Sequence, residues 1–376
     1  MRIEKIFLRF FRNYENLELH LAGDQLFFLG KNAQGKTNLL EALYYLSTIR
    51  SFRASDDAEL ILFDQEFTKL EATFQKQEMT AEVSVTVSKD GKYIRCNRQP
   101  IAKLSDVIGY LNTVLFCPAD LKSIYSSPKE RRRFIDMELG KISSTYLHDL
   151  LQFQKLLKER NSYLKRQQYD DTLMQVLTEQ MVDVQLRIMD ARAFFLQLLE
   201  QHANTIYQTM SDEKKQLHIR YIPCFESETK QTRAQNLLER YQKTLEKDKE
   251  LRATQIGIHR EDFDLVLDDK ELKLYGSQGQ RRSAVLALKI GLLHVIHRKL
   301  NEYPVLLLDD VLSELDEDHR MQLFQVIPSG VQTLITATEL SETERSRLSG
   351  AVYYHVFNGT ITKEESCNGP KSGTYL

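Results

Sequence analysis

Gly30-Lys31-Asn32-Ala33-Gln34-Gly35-Lys36-Thr37 matches the phosphate-binding pattern G-x-x-x-x-G-K-[ST] in full. Its flanks suit it. Gln25-Leu26-Phe27-Phe28-Leu29 is a short apolar run, as expected of a strand buried on both faces. Leu39, Leu40, Ala42, Leu43 and Leu46 then recur at helical spacing. In such a strand–loop–helix unit the glycines let backbone N–H groups point inward at phosphate oxygens. The helix N-terminus adds about half a positive charge. Gly30, Lys31, Asn32, Ala33, Gln34 and Gly35 are therefore candidate phosphate contacts. Lys36 is expected to reach the β- and γ-phosphates of ATP, and the Thr37 hydroxyl to ligate Mg²⁺.

A second element fits the first. Val305-Leu306-Leu307-Leu308-Asp309-Asp310 is an apolar strand ending in two acids. A strand that delivers an aspartate beside a phosphate loop is how such sites hold Mg²⁺. Asp309 is the expected metal carboxylate. Asp310 is the expected catalytic residue, facing the γ-phosphate and orienting or deprotonating water. Lys36 and Asp309 lie 273 residues apart, with a helical segment between them. The nucleotide fold is therefore split, its halves meeting around an insertion.

Composition bounds the rest. The chain has 376 residues, 42% apolar and 28% charged, which excludes collagen-like and wholly disordered classes. No run approaches 18 apolar residues, so no membrane span is expected, and Met1-Arg2-Ile3-Glu4-Lys5 opens no secretory signal. Cys96, Cys117, Cys224 and Cys367 are scattered, as in a cytoplasmic protein with reduced thiols. A net charge of −2 means that any nucleic-acid binding must use local basic patches.

Residues 1–115 read as strands and turns around the first helix, with strands at 66–75, 80–87 and 92–96 and a hairpin turn at Asp90-Gly91. From 116 to 254 glycine nearly vanishes. Leu147, Leu150, Leu151 and Leu157, then Leu177, Met181, Val184, Ile188, Ala191, Phe195 and Leu198, mark two long helices. Tyr169-Asp170-Asp171-Thr172 is the expected break between them. From 255 to 363 strand–helix alternation returns, with a hairpin over Phe263–Leu274 turning at Asp268-Asp269. The polar tail 364–376 is expected to be disordered. The fold class is α/β: a P-loop head formed from both ends of the chain, with an inserted α-helical second domain.

Several stretches together resemble the ATP-binding-cassette (ABC) ATPases of the chromosome-maintenance group, specifically their bacterial recombination-repair branch. Ile6-Phe7-Leu8-Arg9-Phe10-Phe11-Arg12-Asn13-Tyr14 resembles the N-terminal strand and nucleotide-contacting loop. Asn38-Leu39-Leu40-Glu41-Ala42 continues the phosphate loop as in that group. Val114-Leu115-Phe116-Cys117-Pro118-Ala119-Asp120-Leu121 stands where relatives have a glutamine-containing loop. Tyr275-Gly276-Ser277-Gln278-Gly279-Gln280-Arg281-Arg282 resembles the signature motif. Asp309-Asp310-Val311-Leu312-Ser313-Glu314-Leu315-Asp316 resembles the metal strand and the loop facing an opposite subunit.

The resemblance implies nucleotide contacts from Arg12, Asn13 and Asn38, and from Ser277, Gly279 and Gln280 of a second copy. It implies a metal role for Asp120, an ATP-dependent homodimer, and a weak, DNA-stimulated ATPase. It further implies duplex and gapped DNA, RecR, and indirectly RecO and the RecA recombinase as partners. Departures are Gln278 in place of a glycine, Asp120 in place of the glutamine, and Thr338 where a switch histidine is usual. These point to slow hydrolysis.

Basic clusters offer DNA contacts: Arg50 and Arg53; Lys129, Arg131, Arg132 and Arg133; Lys158 and Arg160. Such contacts would be sequence-independent and salt-sensitive. The competing classes are the nucleotide-binding subunit of an ABC transporter, or another chromosome-maintenance-like ATPase. The helical insertion and the missing switch histidine count against the first.

Overall fold

Arg2–Phe11 (β1) alternates buried and partly exposed side chains and pairs antiparallel with Tyr14–His20 (β2). Gln25–Leu29 (β3) is almost wholly buried and leads into Lys36–Thr48 (α1). Phe67–Lys76 (β4), Met79–Ser88 (β5), Gly91–Cys96 (β6) and Gln99–Pro100 (β7) continue as a meander. The computed structural model describes residues 1–166, 170–211, 214–226 and 232–364. The sheet order is β2-β1-β4-β5-β6-β7, antiparallel throughout. Ser88 pairs with Gly91, so the expected turn is tipped by Lys89 and Asp90, one residue earlier than Asp90-Gly91.

After Thr113–Phe116 (β8) the chain turns helical: Pro118–Ser126 (α2), Pro128–Ile142 (α3), Ser144–Leu164 (α4) and Asp171–Met210 (α5). Proline at the first position of α2 and α3 lacks only an N–H that no helix start could use. Asp170 caps α5 by accepting from the Thr172 and Leu173 amides, so the expected break falls beside this cap; Tyr169 lies outside the described residues. At 40 residues, α5 spans about 60 Å at about 1.5 Å per residue. Leu217–Ile222 (β9), a strand that the helical texture concealed, precedes Arg233–Leu251 (α6). Asp262–Leu267 (β10) pairs with β9 and with Lys270–Glu271 (β11), and the chain turns at Asp268-Asp269 as expected. Leu272–Tyr275 (α7) is a helical turn where the hairpin's second strand was expected. Gln278–Leu300 (α8) follows.

Val305–Leu308 (β12), Glu317–Val326 (α9), Thr333–Ala337 (β13), Glu342–Arg347 (α10), Val352–Phe357 (β14) and Thr360–Lys363 (β15) complete the chain. Two compact units result. Among the described residues, one comprises 1–102, 305–320 and 329–364, the other 103–304 and 321–328; the tail beyond Glu364, expected to be disordered, lies outside the described residues. The first joins both ends of the chain. Ile3 donates its N–H to Gln332 Oε1 (2.7 Å), and Gln332 Nε2 donates back to the Ile3 carbonyl (2.9 Å). Its core sheet runs β15-β14-β3-β13-β12, with β14, β3, β13 and β12 parallel.

Residues 255–304, expected within the head, cluster instead with the helical insertion. The reason is helix packing. A Cβ on Gly291 of α8 would lie 3.2 Å from the Ala203 amide of α5, so the two backbones meet closely. His202 of α5 stacks on His294 of α8 with ring centroids 5.0 Å apart.

Candidate nucleotide site

The phosphate loop leaves β3 at Gly30, where a Cβ would sit 2.3 Å from the Val356 carbonyl oxygen; only glycine fits. Gly35 ends the loop at φ 114°, and a Cβ there would press on the Asn13 side chain. Between them Lys31, Asn32 and Ala33 are exposed. The loop is braced from behind. Asn13 Nδ2 donates to the Gln34 carbonyl (3.0 Å), the Tyr14 hydroxyl to the Gly35 carbonyl (2.9 Å), and the Gly359 amide again to Gln34 (3.1 Å). Asn358 donates its N–H to Gln34 Oε1 (2.8 Å). Asn13 thus supports the loop's carbonyl side. The Asn358-Gly359 turn is a support that no local motif advertised.

Lys36 is buried, and its ammonium donates to the loop's own carbonyls at Gly30 and Lys31. Burial lowers its pKa, partly offset by Asp310 and Asp309. The Thr37 hydroxyl donates to Asp309 Oδ1 at 2.8 Å, across 272 residues of sequence. The Thr336 hydroxyl donates to the same oxygen at 2.9 Å. Burial pushes the Asp309 carboxyl up from its ordinary value, while these two hydroxyls pull it down. Asp310 follows in a left-handed conformation (φ 51°), with its Oδ1 buried and without a hydrogen-bond partner. One hydroxyl, one carboxylate and an orphaned carboxylate oxygen form a hard-oxygen set, which fits Mg²⁺ completed by phosphate and water. Among the described residues no group of three or more His, Cys, Asp or Glu could hold a metal by itself.

Arg12 is spoken for. It forms a bidentate pair with Glu41 (2.7 and 2.9 Å) and donates to the Glu59 carbonyl (2.7 Å). Glu41 is fully buried on α1, an ion-pair partner for Arg12. Its signal in the sequence was an acid inside the apolar run Leu39-Leu40-Glu41-Ala42-Leu43. Asn38 bridges Asn13 (2.8 Å) and Arg53 (3.0 Å), which gives Arg53 a partner beside the loop.

Within the second unit, Ser277 caps α8. Its hydroxyl accepts from the Gln280 amide (3.2 Å), and Gln280 Oε1 accepts from the Ser277 amide (3.0 Å). Ser277 and Gly279 are exposed. Arg281 donates to the Leu272 and Lys273 carbonyls (both 2.9 Å), pinning the loop.

Asp120 departs from its expected metal role. Its Oδ1 lies 2.8 Å from the buried Lys289 ammonium, and Oδ2 accepts from the Cys117 amide (2.9 Å). A buried ammonium needs a counter-charge, and Asp120 supplies it.

The DNA candidates divide. Arg131 is buried and bidentate to Asp262 (both 2.7 Å). Arg160 is buried against Asp248 (2.7 Å). These two are core ion pairs, which corrects their reading as surface contacts. Arg132 donates to the Glu261 carbonyl (2.7 Å). Arg50, Lys129, Arg133 and Lys158 are exposed. Of His259-Arg260-Glu261-Asp262, Arg260 is exposed, His259 and Asp262 are half-buried, and Glu261 is buried against Arg192 (2.6 Å).

A phosphate loop, an acid-tipped neighbouring strand and a capped signature-like helix define the class: an ABC-type P-loop ATPase head of the chromosome-maintenance kind. The RecF/RecN/SMC N-terminal domain family profile matches residues 2–358. The chain is 39% identical to the DNA replication and repair protein RecF of Geobacillus thermodenitrificans, covering 96% of this chain and 99% of that one. It is 36% identical to the RecF of Staphylococcus aureus strain JH9, over 96% and 100%. The solved structure of the recombination mediator protein RecF with ATP superposes with a TM-score of 0.87 at 32% identity, over 96% and 99%. An Smc head shares the fold at TM-score 0.56 and 14% identity. The chain belongs to the RecF family. No helix among the described residues is long and apolar enough to cross a membrane.

Proposed function

We propose that this chain is an ATP-dependent DNA-binding ATPase of recombinational repair. It binds ATP on the phosphate loop, dimerises through the nucleotide, and engages duplex DNA at gaps. With RecR, and through RecO, it helps to place RecA. The observation that carries this is the Thr37–Asp309 contact of 2.8 Å, which joins the loop to the acidic strand. Family membership supports the repair role.

The residues divide the labour. Lys36 exchanges the Gly30 and Lys31 carbonyls for β- and γ-phosphate oxygens. Thr37 and Asp309 would hold Mg²⁺, which supplies positive charge against the phosphates. Asp310 orients a water whose oxygen attacks the γ-phosphorus. The bond from that phosphorus to the bridging oxygen breaks, ADP leaves, and the water's proton passes by way of Asp310 to solvent. Ser277 of a second copy caps the γ-phosphate. Hydrolysis removes the shared ligand and releases the pair. Exposed Arg50, Lys129, Arg133 and Lys158 supply salt-sensitive phosphate contacts.

The test is fluorescence anisotropy of a labelled duplex with and without ATP and Mg²⁺ at two salt concentrations. Tighter binding with ATP, weakened by salt, is expected. No binding in either state overturns the DNA reading.

A further inference from the structure

We propose that Thr336 is the positioning residue that sets the two acids for hydrolysis, so that turnover rather than ATP binding depends on its hydroxyl. The inference rests on the ATPase reading above. β13 lies between β3, which carries the phosphate loop, and β12, which carries the acids; Thr336 sits beside Phe28 in that register. The residue is fully buried. Its one hydroxyl serves both acids. It donates to Asp309 Oδ1 at 2.9 Å and accepts the Asp310 backbone N–H at 2.9 Å.

Each bond has a geometric consequence. The first, with the Thr37 hydroxyl on the same oxygen, fixes the Asp309 carboxylate from two sides. The second anchors Asp310 where its backbone is left-handed at φ 51°, a region uncommon for non-glycine residues though more open to aspartate than to most. Held so, Asp310 keeps Oδ1 buried and unpartnered, ready for a proton donor that the folded chain does not supply. A valine at 336 keeps the shape and removes both bonds. Asp310 then loses its backbone anchor and swings its carboxylate off line. The loop amides, Lys36 and Thr37 stay in place, so ATP binding persists.

The experiment compares wild type, Thr336→Val and Thr336→Ser in the full chain with DNA present. It measures phosphate release at saturating ATP and Mg²⁺, and the equilibrium Kd for ATP. Thr336→Val is expected to lower turnover at least about tenfold, the worth of one hydrogen bond in the transition state. Its Kd should stay within about threefold of wild type, and Thr336→Ser should restore most of the rate. Wild-type turnover in Thr336→Val overturns the inference. So does a Kd that weakens in step with the rate, or a serine variant as slow as valine while its Kd is normal. A wild-type chain that binds no ATP fails the ATPase reading instead, which separates the two.

Discussion

Arg160→Ala distinguishes a core ion pair from a DNA contact. The guanidinium lies 2.7 Å from Asp248 Oδ2 and 2.7 Å from the Thr254 hydroxyl, and sits over the Tyr241 ring with 5.3 Å to the centroid. Arg160 is 1% exposed and Asp248 0%, so truncation strands a carboxylate away from water. Removing one partner of such a pair costs about 3–5 kcal/mol. For a unit of this size that is a fall in melting temperature of about 6–20 °C, taking about 2–4 °C per kcal/mol. The double substitution Arg160→Met with Asp248→Leu removes both charges and should recover most of the loss. Thermal unfolding followed by circular dichroism reads the stability, and duplex anisotropy on the folded variants reads DNA affinity. An Arg160→Ala chain that melts like wild type yet binds duplex tenfold more weakly would make Arg160 a DNA contact and not a core ion pair.

Two further outcomes follow, one from a buried histidine and one from a close backbone approach. His259 is held neutral by burial, with its pKa pushed down to about 4 from 6.5. The unfolded chain therefore binds the extra proton first as pH falls, so this stability is full above about pH 6.5 and drains away toward pH 4. About 2 kcal/mol should be lost between pH 7 and pH 5, at about 1.36 kcal/mol per pKa unit. His259→Gln should show a smaller melting shift over that interval, and an unchanged shift would contradict the assignment. Gly30→Ala must move either the loop or the Val356 carbonyl, 2.3 Å from the added Cβ. It should destabilise the fold by about 1–3 kcal/mol and weaken ATP binding, and calorimetry on the variant checks both.

The candidate nucleotide site was legible where its residues sit at fixed local spacing. Gly30, Gly35, Lys36 and Thr37 are such a set, and the apolar strand before Asp309 is another. That both chain ends share one unit was legible too, but not its boundary: residues 255–304 alternate like the ends yet cluster with the helical insertion. What the sequence hid depends on distant pairing. Arg131 finds Asp262, and Arg160 finds Asp248, only once the helices pack. On α3 Arg131 turns inward while Arg133 stays exposed, since successive helical residues lie about 100° apart; a run of charges does not share one face. Glu41, Thr336 and the Asn358-Gly359 brace were missed for the same reason. Each acts through a partner far along the chain. The strand β9 was lost in the polar helical composition around it.

Isothermal titration of ATP with Mg²⁺ into wild type and Lys36→Ala asks whether the loop binds nucleotide. The loop geometry predicts binding by wild type and a loss of about ten- to a hundredfold or more in Lys36→Ala. That is the worth of a charged hydrogen bond of about 1.5–3 kcal/mol. Equal affinity in the two proteins would contradict a nucleotide site built on Lys36.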